Sequence, residues 1–77
     1  MALAAADWIA RLAAELGTSP PDGAELDALL GLAGVAAHAS ERIAAPVSCW
    51  LVARAGVAPS DGLVAVRRLA EEVGGED

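Results

Sequence analysis

The sequence predicts an all-α fold: a compact bundle of four short helices forming a single domain over residues 1–77. Two observations predict it. Four stretches carry apolar residues at helical spacing, each with one face richer in them than the other. Short loops marked by glycine or proline separate these stretches, and no repeat or long linker divides the chain.

The first helix is expected from about Leu3 to Leu16. Trp8, Ile9, Leu12 and Leu16 share one face, and Asp7 sits near the positive end of the helix dipole. Gly17 is its C-terminal cap, and Thr18-Ser19-Pro20-Pro21 is a loop because paired prolines cannot continue a helix. The second helix starts at Asp22, where Asp22 and Glu25 form a capping-box pair. It is expected to run to about Glu41, with Leu26, Leu29, Leu30, Ala33 and Ala37 as its core stripe. Asp27, Gly31, Gly34, Val35, His38 and Arg42 fall on the other side. Two mid-helix glycines cost about 1 kcal/mol each relative to alanine, which points to a close approach by a helix or ligand.

The third helix is expected from Pro46 to Ala55, with Pro46 as first helical residue and Ala45 held outside the α region. Val47, Cys49, Trp50, Leu51, Val52 and Ala53 surround most of it, so it is expected to be buried at the centre of the bundle. Gly56 stops it. The fourth helix begins either with Pro59 as first helical residue or with Ser60 as N-cap. Leu63, Val66, Ala70 and Val73 form its inward stripe, Arg67, Arg68, Glu71 and Glu72 its solvated side, and residues 74–77 a frayed tail.

Composition bounds the function. A chain of 77 residues normally needs a disulfide, a metal or a partner to be stable, yet Cys49 is the only cysteine. No His/Cys cluster offers a structural zinc site, and no cofactor is called for. A hydrophobic fraction of 56% is high for so short a chain, which favours a homo-oligomer or a protein partner. The net charge of −6, without lysine, repels phosphate backbones and argues against nucleic acid. The apolar run from Ile43 to Ala53 is too short for a membrane span. The free cysteine and the lack of a signal peptide point to the cytoplasm.

His38, Glu41 and Arg42 are the candidate ligand-binding residues, since spacings of three and four make them neighbours on a helix. A histidine beside a carboxylate can move protons, and an arginine can hold phosphate or carboxylate. The competing structural reading is that the three finish the helix, complementing the negative end of its dipole. Gly31, Gly34, Val35 and Trp50 are the candidate interface residues. Trp8 and Trp50 are otherwise expected to anchor the core. Catalysis by Cys49 is disfavoured by its apolar surroundings, and Ser48 has no base and orienting acid at a recognised spacing. No catalytic residue and no metal ligand set is assigned. An acyl-carrier reading fails because Pro59-Ser60-Asp61-Gly62-Leu63 has the attachment motif in the wrong order.

The run Leu26-Asp27-Ala28-Leu29-Leu30, followed by Ala37-His38, Glu41-Arg42, Ala44-Ala45-Pro46 and Trp50-Leu51, resembles a known family. It is similar to small actinobacterial helical domains of unknown function that occur alone or fused behind a molybdenum-cofactor guanylyltransferase. The match is specific in the middle third and general in the first and last helices. The resemblance implies an association with molybdopterin guanine dinucleotide biosynthesis by gene fusion, and His38, Glu41, Arg42 and Pro46 are the family positions that this chain retains. The family has acidic residues where Gly31 and Val35 stand here, and proline in place of Ile43, so its polar strip is partly dismantled. The chain itself has no nucleotide-binding loop and is too small for a guanylyltransferase. The leading expectation is a non-enzymatic interaction module. The alternative is a binding domain for a phosphorylated pterin or nucleotide, using His38, Glu41 and Arg42.

Overall fold

The computed structural model describes residues 3–75, in four helices: α1 (Ala5–Glu15), α2 (Gly23–Ala39), α3 (Ala44–Arg54) and α4 (Pro59–Gly75). No strand occurs among the described residues. Gly74 and Gly75, expected in a frayed tail, continue α4, and residues 76–77 lie outside the described residues.

The helix ends follow from local chemistry. Gly17 takes φ +71°, and the N–H groups of Gly17 and Thr18 donate to the carbonyls of Ala14 and Ala13. The same pair of bonds closes α3, from Gly56 (φ +73°) to Ala53 and from Val57 to Val52. Glycine stands at both positions because a side chain there clashes with the left-handed backbone. At the start of α2, the Glu25 N–H donates to Asp22 Oδ1 at 2.8 Å and the Asp22 N–H to Glu25 Oε1 at 2.9 Å, a complete capping box. Pro59 is the first residue of α4, which decides between the two starts that the sequence allows.

The corner between α2 and α3 lies earlier than expected. It is made by Ser40 (φ −132°, ψ −106°), not by Pro46, so α2 ends at Ala39 instead of Glu41. Two alanines, Ala44 and Ala45, open α3, and Pro46 is its third residue. The N–H groups of Ala44 and Ala45 donate to the carbonyls of Glu41 and Arg42 ahead of the helix. A first-turn residue has no partner carbonyl inside the helix, so proline at the third position costs no helical bond. The strong helix preference of alanine then outweighs the bias that proline places on Ala45.

The helix at the centre is α2, not α3. It packs against α4 along one flank and α3 along the other, while α3 and α4 barely touch. Its buried line is Ala28, Leu32 and Ala36, residues spaced four apart, with Leu32 fully enclosed. Half-buried Leu29 and Ala33 flank that line toward α3, and Gly31 and Val35 flank it toward α4. The expected stripe is therefore rotated: Leu30 is 64% exposed, while Gly31 and Val35 turn inward. A line wedged between two helices favours small residues, because they let both neighbours approach, and the larger leucines are displaced to the flanks.

No residue of α3 is fully buried. Ala44, Ala45, Ser48, Cys49 and Val52 make its covered side, and Val47, Trp50 and Leu51 face solvent. Both tryptophans expected in the core are more than half exposed. The backbone of α1 makes no close approach to α2, α3 or α4, although Ala13 is buried and Ile9 half-buried on one of its faces.

The close approach that glycine makes possible occurs at Gly62. It is buried, and a Cβ there would meet the Val52 side chain at 2.6–3.3 Å. At Gly34 a Cβ would meet nothing within 4 Å, and at Gly31 only the Leu63 methyls at an ordinary 3.5 Å. The mid-helix glycines of α2 are thus not held by packing within the chain. Gly62→Ala is expected to lower unfolding stability by about 1–2 kcal/mol, because Val52 is branched at Cβ and cannot swing aside. Gly34→Ala should raise it by about 0.5–1 kcal/mol. Urea unfolding of both variants checks the pair; a destabilised Gly34→Ala or a neutral Gly62→Ala contradicts this packing.

Candidate functional site

His38 lies in the last turn of α2, and Glu41 and Arg42 lie beyond the Ser40 corner, so the three do not share one helical surface. All three are exposed. His38 joins Gly31, Gly34, Val35 and Ala39, with Leu30 and Ala70, around a shallow open depression of about 560 Å³; Glu41 and Arg42 are not on its wall. Three of the candidate interface residues therefore meet on one face of α2. The fourth, Trp50, sits on the exposed side of α3 with the Arg54 guanidinium 5.0 Å from its ring centre. That cation–π contact holds the ring in place on the surface.

A second feature is an apolar groove of about 340 Å³ where the end of α2, the start of α3 and the later half of α4 converge. Alanines 36, 39 and 44 form its floor, and Val66, Leu69 and Val73 rise from α4 as its wall. Ser48 is on this groove and His38 is not. The sequence expects Val66, Ala70 and Val73 of this lining on the inward stripe of α4, but Val73 is 45% exposed, and Leu69, outside that stripe, is 59% exposed. The signal for the groove is present in the chain: Val66, Leu69 and Val73 follow an i, i+3, i+7 pattern.

Cys49 is half-buried on the covered side of α3, in a separate cleft with Leu29, Val52 and the Pro20–Pro21 segment. Burial pushes its thiol up from the ordinary value. Its thiolate, the form that attacks, is disfavoured at neutral pH. Among the described residues no group of three His, Cys, Asp or Glu side chains is arranged to hold a metal ion. No described helix is long and apolar enough to cross a membrane.

These features define a small all-helical domain with large apolar side chains left open to water on each of its helices. The chain belongs to the DUF6457 family, a domain of unknown function, whose family model matches residues 2–76. No curated protein and no solved structure matches it.

The raised Cys49 pKa sets the sign of an alkaline stability loss. The native state holds the thiol proton more tightly than the unfolded chain does. The stabilisation is therefore complete below the ordinary thiol pKa and is lost as pH rises through the raised one. Urea unfolding of wild type and Cys49→Ala across alkaline pH is expected to show a steeper decline for wild type. Parallel declines would show that Cys49 contributes none of the slope.

Proposed function

We propose that this domain is a non-enzymatic helical interaction module, an accessory to molybdopterin guanine dinucleotide biosynthesis. The observation that carries the interaction reading is the apolar side chains exposed to water: Trp8 at 59%, Leu16 at 69%, Leu30 at 64% and Trp50 at 56%. Large apolar side chains exposed on three helices of so short a chain favour a surface that binds something. The free glycines of α2 add to it, since Gly34 has open space where a partner helix can approach its backbone. The link to the molybdenum cofactor rests on the resemblance of the His38–Trp50 stretch to actinobacterial domains fused behind its guanylyltransferase.

The face around Gly31, Gly34 and Val35 is the docking surface in this reading, with Trp50 as a second anchor. Aromatic anchors and small residues suit such a role, because a rigid ring fills a pocket while glycine lets backbones close in. The net charge of −6 disfavours an acidic partner face.

Sedimentation of this chain mixed with the molybdenum-cofactor guanylyltransferase of the same genome tests the proposal. A complex is expected, and Gly34→Arg should weaken it roughly tenfold or more while keeping the helical circular dichroism of wild type. A guanylyltransferase that sediments unchanged removes the accessory role.

A further inference from the structure

Two unsatisfied apolar surfaces lie on different helices of this molecule. One is the stripe of α1, where Trp8, Leu12 and Leu16 are 59, 43 and 69% exposed at four-residue spacing. The other is the apolar groove of about 340 Å³, whose wall residues Leu69 and Val73 are 59 and 45% exposed. We propose that α1 of one copy lies in this groove of a second copy, and the reverse, giving a dimer by reciprocal exchange. This deepens the interaction reading, because it commits one face to self-association and leaves the α2 face for the other partner.

The exposed area points to a partner of this size. A compact chain of 7.7 kDa is expected to expose about 4,300 Å². This chain exposes 5882 Å², an excess of about 1,500 Å². A standard interface removes about 800 Å² from each partner. Each copy in an exchanged dimer covers two surfaces, its own α1 stripe and its groove, and the excess over a compact chain leaves room for an interface of standard size.

The helix needs that cover. Isolated helices shorter than about 12–15 residues are marginal in water, and α1 has 11. Its copy-mate's groove suits it, because the alanine floor allows close approach and the branched wall gives its leucines and Trp8 something to grip.

The helix cannot reach its own groove. The Gly17 cap locks the end of α1, the Asp22–Glu25 box locks the start of α2, and only Ser19-Pro20-Pro21 remains between them. Three extended residues span about 9 Å, which is used up in crossing the 8–10 Å between packed helix axes. Folded back along α2, Trp8 would reach about 10 Å from its start, at 1.5 Å per residue. The groove residue nearest in sequence, Ala36, lies about 20 Å along. A second copy can bridge that gap.

Sedimentation equilibrium across a range of concentrations, with Leu12→Glu on the helix and Leu69→Glu on the groove wall, tests the exchange. Both sites are exposed in the single chain, so each variant should keep its helical circular dichroism. Wild type is expected to dimerise at micromolar concentration, and each variant alone to associate roughly a hundredfold more weakly. An equimolar mixture of the two variants should regain part of the association, through the one seat in which the intact α1 of the Leu69→Glu chain meets the intact groove of the Leu12→Glu chain, the other seat carrying both glutamates. In a Trp50→Phe background, the remaining Trp8 emission should shift to the blue as the dimer forms. A wild type that stays monomeric, variants that dimerise as wild type does, or a mixture that stays monomeric each overturns the exchange. None of these outcomes bears on binding of the guanylyltransferase, which is read separately.

Discussion

The Ala28–Leu32–Ala36 line of α2 is the constraint on which the rest of this structure depends. One helix must serve two neighbours, so its contact line has to be narrow. Alanine at both ends brings α3 and α4 close, and Leu32 fills the space between them. The consequence is a thin core with a single large side chain fully enclosed. Larger apolar residues have nowhere to go but the flanks and the surface. Gly62 against Val52 is the same economy of space between α3 and α4, where the Val52 side chain occupies the room that a side chain at Gly62 would need.

A thin core leaves a small domain short of stabilisation, since burial scales poorly at this size. The chain answers with strong local signals. Two left-handed glycine caps, a complete capping box and a proline at the head of α4 fix where its helices begin and end. These devices define the helices without defining their packing. That is why α1 has a defined C-terminal end at Gly17 without a close backbone approach to any other helix.

The distribution of chemistry fits binding better than turnover. His38, Glu41 and Arg42 are exposed and split by the Ser40 corner, and the one thiol is held protonated by burial on another side of the body. What the surface offers in quantity is apolar area, in several separate places. An amphipathic helix, a groove floored by alanine and an open glycine face give the domain more than one surface for helical partners.

The existence of four helices, their rough limits and their capping residues were legible in the sequence, because caps and breaks depend on residues within a few positions of each other. Gly17, Gly56, Asp22 and Glu25 needed no knowledge of the rest of the chain. The solvated side of α4 was legible for a similar reason, since four charged residues within six positions cannot be hidden. Where α2 turns its buried line, which helix is central and which apolar face is left bare were decided only by tertiary structure. Leu30 and Leu32 are the same residue two positions apart, yet one is 64% exposed and the other fully enclosed. Periodicity shows that a helix has an apolar side, but the rotation of that side is set by how many neighbours press against it and how close their backbones come. The candidate site failed to be legible for the same reason. Spacings of three and four bring residues together only while the helix continues, and here it ends at Ala39, between His38 and the other two.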